Sequence, residues 1–159
     1  MDLKQTVHLV GSMPLDSADD VLKLSADLLA DRLLRLPDGE TGERKNWITW
    51  QLPKLGACEG LELYEDADKE SGSPNLVRIV EGDEDRLQIV DLGYRDAAIA
   101  SYAAFARAKA VGTVGSTCRF QVCLPTPLAP IQLYVESKHR RLVEPVYEAA
   151  LLKELAAIV

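Results

Sequence analysis

The chain has 159 residues, of which 47% are hydrophobic and 27% are charged, which is the composition of a globular domain rather than of a disordered segment. Its formal net charge of -7 argues against nucleic acid as a partner, because an acidic chain is repelled by a phosphate backbone. No apolar run approaches the ~20 residues that cross a bilayer, and the N-terminus lacks the apolar stretch of a signal peptide. We therefore expect a cytoplasmic protein that does not bind a membrane.

The beginning of the chain predicts a strand, a helix and a second strand. Residues 6–10 form a short apolar run that Gly11 ends. Ser17, with Asp20 three residues later, is typical of a helix N-terminus, and apolar residues at helical spacing extend that helix to about residue 30. A second apolar run, at residues 33–36, predicts the next strand.

The middle of the chain predicts a short helix followed by a β-rich region. Residues 46–55 carry the helix, and Pro53 is expected to disturb its end. Residues 56–93 alternate short apolar runs with polar turns, which predicts an inserted β-hairpin region. Its expected strands are residues 61–64, 76–80 and 87–90.

The last third predicts a helix, a strand and a final helix. Residues 94–111 are rich in alanine and end at Gly112, and residues 119–124 read as the third core strand. The final helix runs from residue 142 to the C-terminus, with Pro145 expected in its first turn. The order β-α-β-α-β-α predicts one α/β domain over residues 1–159, with a mostly parallel sheet and the inserted region at 56–93.

Three polar loops follow the three predicted core strands, where parallel α/β folds place their functional groups. The loops offer a backbone turn, hydroxyls, carboxylates and a guanidinium for a small ligand. The candidate binding residues are Gly11, Ser12, Asp38, Glu40, Arg44 and Thr126. Each loop also has a structural interpretation: a strand-ending turn, an internal Asp/Glu–Arg salt-bridge network, and stiffening by prolines.

The sequence does not predict a metal site. It contains no HxH, HExxH or CxxC spacing, and His8 is interpreted as a strand-packing residue. The three cysteines are expected to be free thiols. Cys118 and Cys123 lie five residues apart in a predicted strand and would point to opposite faces.

At these loops the chain resembles the C-terminal catalytic barrel of cobalamin-independent methionine synthases, and still more their relatives in the uroporphyrinogen-decarboxylase/methionine-synthase-like superfamily. Val10-Gly11-Ser12-Met13-Pro14 is similar to the family's Ile-Gly-Ser-Phe-Pro, and Asp38-Gly39-Glu40 with Arg44 is similar to its Gly-Glu-x-x-Arg segment. Leu124-Pro125-Thr126-Pro127 falls where the family has a Gly-Pro-x-Thr turn, and residues 147–154 resemble the helix before the next catalytic strand. The resemblance implies a partial (β/α)₈ (TIM) barrel made of its first three or so units.

The resemblance also implies a ligand and its contacts. In the family, the Gly-Ser turn and the glutamate hold the amino-acid end of homocysteine, which points to Gly11, Ser12 and Glu40, while Arg44 would orient the second loop. The family uses zinc, which activates the thiol, and a folate methyl donor. Its zinc ligands come from later strands, so no cofactor is expected in this chain, and it would be inactive alone. Whether the chain itself is an enzyme stays open.

Two alternatives remain. The chain is a non-catalytic binding or assembly protein derived from a half barrel, or a metal-free lyase or decarboxylase that recruits Asp38, Arg44 and Arg119. A complete barrel takes about 250 residues, and three strands leave sheet edges open. We therefore expect a homo-oligomer or a complementing chain, and a small amino-acid or thiol ligand, as partners.

Overall fold

A computed structural model of the chain describes residues 6–46, 48–65 and 75–159. The fold is mixed α/β, with five α-helices and two small sheets in the described residues. The helices are Ala18–Leu29 (α1), Gln51–Gly56 (α2), Tyr94–Ala110 (α3), Leu128–Tyr134 (α4) and Arg140–Ile158 (α5). The strands are Arg35–Pro37 (β1), Leu61–Glu65 (β2), Asn75–Ile79 (β3) and Arg119–Gln121 (β4).

The chain divides into two compact units. The first combines Met1–Trp47 with Asp96–Leu124, and the second combines Ile48–Arg95 with Pro125–Val159. The prediction of a single domain with an insertion at residues 56–93 stays a prediction.

The first unit is built on parallel strands. β1 pairs with β4 in parallel, with Leu36 opposite Phe120, and Val7 forms a parallel bridge with Leu33. Parallel pairing requires a crossover between the strands, and α1 lies in the connection between Val7 and β1. The expected strand at residues 6–10 is reduced to the Val7 bridge, and β4 ends three residues earlier than predicted.

Helices α1 and α3 supply the core of the first unit. Ser17 caps α1, because its hydroxyl accepts the backbone N–H of Asp20 at 3.2 Å, as the sequence pattern predicted. The body of α3 contributes Phe105, which packs with the β4 residue Phe120 at 5.4 Å between ring centroids. The buried core residues are Leu22, Leu33, Leu36, Ala104, Phe105, Val114 and Cys118.

The second unit contains an antiparallel hairpin and three helices. β2 pairs with β3, with Leu63 opposite Val77, as predicted for the β-rich region. The strand predicted at residues 87–90 is wrong, because this segment makes a single bridge, between Gln88 and Glu59. Gly60 has a φ of 80°, so the chain turns directly after Glu59 and a ladder with this segment cannot continue.

Three helix predictions needed correction. The helix expected at residues 46–55 is a 3-10 helix at Gly42–Asn46 followed by α2, and Trp47 lies outside the described residues. Pro53 lies in the first turn of α2, where its missing N–H costs nothing. Pro145 is the sixth residue of α5 rather than part of its first turn, because that helix begins at Arg140.

Candidate functional site

A backbone hydrogen bond joins the loop that follows the Val7 bridge to the loop that follows β1. Met13 N donates a hydrogen bond to Gly39 O at 2.8 Å. This contact places Ser12 beside Glu40, and the Ser12 hydroxyl donates to Glu40 Oε2 at 2.8 Å. We call Ser12, Asp38, Glu40 and Arg44 the loop site.

Asp38 organises the second loop. Its buried carboxylate accepts the backbone N–H of Glu40 at 3.0 Å through Oδ1. Oδ2 accepts Arg44 Nη2 and the Ser101 hydroxyl, each at 2.6 Å. Because Arg44 and Ser101 satisfy Oδ2 and the loop backbone satisfies Oδ1, Asp38 acts as the internal support of the loop.

Arg44 is therefore paired with Asp38. The 2.6 Å ion pair is largely shielded, with side-chain exposures of 18% for Arg44 and 9% for Asp38. The structure thus contains the Asp–Arg salt bridge that the sequence left as an alternative for this loop. The expected role of Arg44 in orienting the second loop for a ligand stays a prediction.

Glu40 is the unusual carboxylate of the loop site. It is buried, and its backbone has a φ of 50°, a left-handed conformation that costs a non-glycine residue about 1–2 kcal/mol. Oε1 accepts no hydrogen bond from any residue that the structure describes, whereas Ser12 is exposed and opens the pair to solvent. Strained, partly satisfied groups of this kind concentrate at functional sites.

The charge of Glu40 is held in an unfavourable environment. Desolvation by burial raises the pKa of the Glu40 carboxyl above its ordinary value, and the neighbouring Asp38 charge raises it further. The Ser12 hydrogen bond and the more distant Arg44 charge lower the pKa but do not cancel the increase. A cation beside Glu40 would offset the free-energy cost of ionising this buried carboxyl group.

The other two predicted site residues are placed differently. Gly11 has a φ of 86°, and a Cβ added there would meet no atom within 4 Å, so its backbone is open to approach. Thr126 belongs to the second unit, where it is exposed and its carbonyl accepts Ala129 N at 3.1 Å before α4. Its grouping with the loop site stays a prediction.

Two further polar residues of the first unit were missed by the sequence reasoning. Ser101 is buried within α3, and a serine spaced between Ala98 and Phe105 on an apolar helix face was the signal that could have identified it. Gln121, the last residue of β4, donates through Nε2 to Leu9 O at 3.0 Å. Its buried Oε1 has no hydrogen-bond partner in the described residues.

The His, Cys, Asp and Glu side chains that the structure describes do not cluster into a candidate metal site. No group of three or more His, Cys, Asp or Glu side chains able to hold a metal ion occurs in residues 6–46, 48–65 and 75–159. The three cysteines are free thiols, as predicted, and Cys118 is buried in the core.

Comparison with known proteins gives no relative. No family model matches the chain, and no curated protein or solved structure is detectably similar to it. Among the helices that the structure describes, none is both long and apolar enough to cross a membrane.

Proposed function

We propose that the loop site binds the amino-acid end of a small thiol amino acid of the homocysteine class. Glu40 would pair with the ligand's ammonium group, and the ligand's carboxylate would lie at the open backbone of Gly11, where Ser12 would turn its hydroxyl hydrogen from Glu40 to the ligand. In this proposal the chain is methionine-synthase-like, and its first unit corresponds to the first units of a (β/α)₈ barrel. The parallel pairing of β1 with β4 supports this relation, since both loops follow parallel segments.

The observation that carries the proposal is that two neighbouring carboxylates, Asp38 and Glu40, differ in their ion pairing. Arg44, the basic side chain that pairs within the loop, is bonded to Asp38. Glu40 is left with a serine hydroxyl as its hydrogen-bond partner and no ion pair in the described part of the chain. A buried charge without a cation is costly, and a ligand ammonium group supplies the missing charge.

The proposal concerns binding, and no step is routed through zinc. The described side chains do not provide the cluster of ligands that a zinc ion needs. Neither a zinc-bound thiolate nor methyl transfer is therefore assigned to this chain. The property to measure is the affinity for the ligand.

Isothermal titration calorimetry with L-homocysteine under reducing conditions tests this proposal. The Glu40→Gln variant removes the charge and retains an acceptor for Ser12, and we expect it to weaken binding by about tenfold or more, the loss of a charge-assisted bond. The deaminated analogue 4-mercaptobutyrate, which lacks the ammonium group, should not distinguish wild type from variant. The matched control is Glu43→Gln, because Glu43 is exposed in the same loop.

Two results would contradict the assignment. Homocysteine binding that is equally strong in wild type and Glu40→Gln would remove the role of Glu40. Absence of binding by any amino acid with a free ammonium group would remove the site itself.

A second candidate function is assembly with another copy of this chain. Leu152 and Leu155 are 55% and 40% exposed and lie three residues apart near the end of α5. Side chains at this spacing share one helix face, and exposed apolar faces favour association. Light scattering after size exclusion should give a multiple of 17.5 kDa that Leu152→Glu reduces; a monomer at all concentrations would exclude this function.

A further inference from the structure

A second cluster of polar side chains lies in the first unit, away from the loop site. A cleft of about 430 Å³ is lined by Thr6, His8, Arg35, Thr117 and Arg119 together with apolar neighbours. We call it the basic cleft. Among the described residues, its polar groups are two guanidinium groups, an imidazole and two hydroxyls, and none of these residues carries a carboxylate.

The two arginines are held side by side by the sheet. Arg35 and Arg119 are the first residues of β1 and β4 and are direct partners in the parallel register. Neighbouring strands lie about 4.8 Å apart, and directly opposed residues project to the same face. Like charges in this position repel each other and destabilise the pairing.

Neither arginine is neutralised within the described residues. The Arg35 and Arg119 side chains make no ion pair and no side-chain hydrogen bond there, and both residues are exposed. This lack is informative because the chain has 25 acidic and only 18 basic side chains, so partners are abundant. Six other arginine and lysine side chains of the described residues pair with carboxylates, including Arg44, Arg78 and Arg86.

We propose that the basic cleft binds the phosphate group of a small molecule. A phosphate dianion would neutralise both guanidinium groups, whose forked donors match its oxygens, and the threonine hydroxyls and His8 supply further polar contacts. A volume near 430 Å³ is within the range of small-molecule sites and leaves room beside a bare phosphate for an organic group.

This site is distinct from the loop site. Arg35 is the first residue of β1, whereas Asp38 directly follows its last residue, Pro37. Because β1 and β4 are parallel, the basic cleft and the loop site lie at opposite ends of the same strands. The two proposals therefore stand or fail separately.

Inorganic phosphate is the probe for the test. We expect phosphate to raise the thermal unfolding midpoint of the full chain more than sodium chloride of equal ionic strength. Arg35→Gln and Arg119→Gln should each weaken phosphate binding by about tenfold or more. Arg35→Lys should also weaken it, because lysine keeps the positive charge but lacks the forked N–H donors of the guanidinium group. Arg141→Gln is the matched control, since Arg141 is an exposed arginine of α5.

Two further measurements test the proposal: a comparison of ligands, and the stability of a variant without phosphate. Glycerol 3-phosphate that binds more tightly than inorganic phosphate identifies an organic phosphate, and equal affinity identifies phosphate itself. In phosphate-free, low-salt buffer, Arg35→Gln should raise the unfolding midpoint by relieving repulsion, and added salt should reduce the gain. Phosphate that stabilises no more than chloride, or a midpoint that Arg35→Gln lowers in the absence of phosphate, would overturn the proposal.

Discussion

Replacing Gly39 by alanine tests whether the loop site depends on close packing against α1. Gly39 has a φ of 73°, and an added Cβ would lie 2.7 Å from Cγ2 of Val21 and 3.2 Å from Cβ of Met13. Carbon atoms normally approach to about 3.5–4.0 Å, so Val21, which is fully buried, would have to move. The loop and the helix therefore cannot both keep their positions.

The expected loss has two parts. The left-handed backbone costs alanine about 1–2 kcal/mol, of which the reduced entropy of the unfolded chain returns roughly 0.4–1 kcal/mol. Overpacking against a buried side chain adds about 1–3 kcal/mol. Gly39→Ala should therefore lower the free energy of unfolding by about 2–4 kcal/mol.

Gly42 provides the control within the same loop. Its φ is 66°, but a Cβ there would meet no atom within 4 Å. Gly42→Ala should therefore cost only the backbone term, roughly 1 kcal/mol. Urea unfolding followed by far-UV circular dichroism measures both variants.

A double-mutant cycle with Val21→Ala isolates the contact. Without the Val21 methyl groups, the added Cβ keeps only its 3.2 Å contact with Met13 Cβ, so the cost of Gly39→Ala should approach that of Gly42→Ala, which gives a coupling of about 1–3 kcal/mol. Equal losses for the two glycine variants in the wild-type background would refute the packing argument. The same conclusion would follow if Val21→Ala left the cost of Gly39→Ala unchanged.

Three further predictions concern backbone strain and buried charge. Ala30 ends α1 with a φ of 46°, so Ala30→Gly should raise the free energy of unfolding by about 1 kcal/mol in urea titrations; a loss would contradict this. Glu154 is buried and accepts three backbone N–H groups at the start of α3, so Glu154→Ala should cost about 3 kcal/mol, whereas exposed Glu148→Ala should change little. The raised pKa of Glu40 favours the protonated folded state, so wild type should lose stability relative to Glu40→Gln as pH rises through that pKa, and a constant difference across the titration would contradict this.

The local patterns of the sequence predicted the helices better than the strands. α1 follows its capping serine and apolar spacing, and α3 ends where the sequence offers Gly112. α4 was missed because Pro127 and Pro130 suggest a break. Both prolines fall at or near the N-terminus of that helix, where a backbone N–H has no helical partner.

The strands depend on partners that no local pattern reveals. Residues 87–90 are apolar except for Gln88, yet Gly60 ends the pairing after one bridge. In the loop site, the nearness of the first two loops followed from the rule that functional loops lie after parallel strands. The contact of Ser101 with Asp38 spans 63 residues and was not accessible to that reasoning.

Asp38 and Glu40 show why similar residues in one loop need not share a function. Asp38 is supported by a guanidinium, a hydroxyl and a backbone N–H, so its removal would leave Arg44 and Ser101 without their partner. Glu40 is held in a strained backbone by the same network and is itself bonded to an exposed serine. The stability that Asp38 provides therefore offsets the cost of presenting Glu40, a cost that protonation of Glu40 or a neighbouring cation would reduce. A loop selected for stability alone would have placed glycine at the left-handed position and left no carboxylate there.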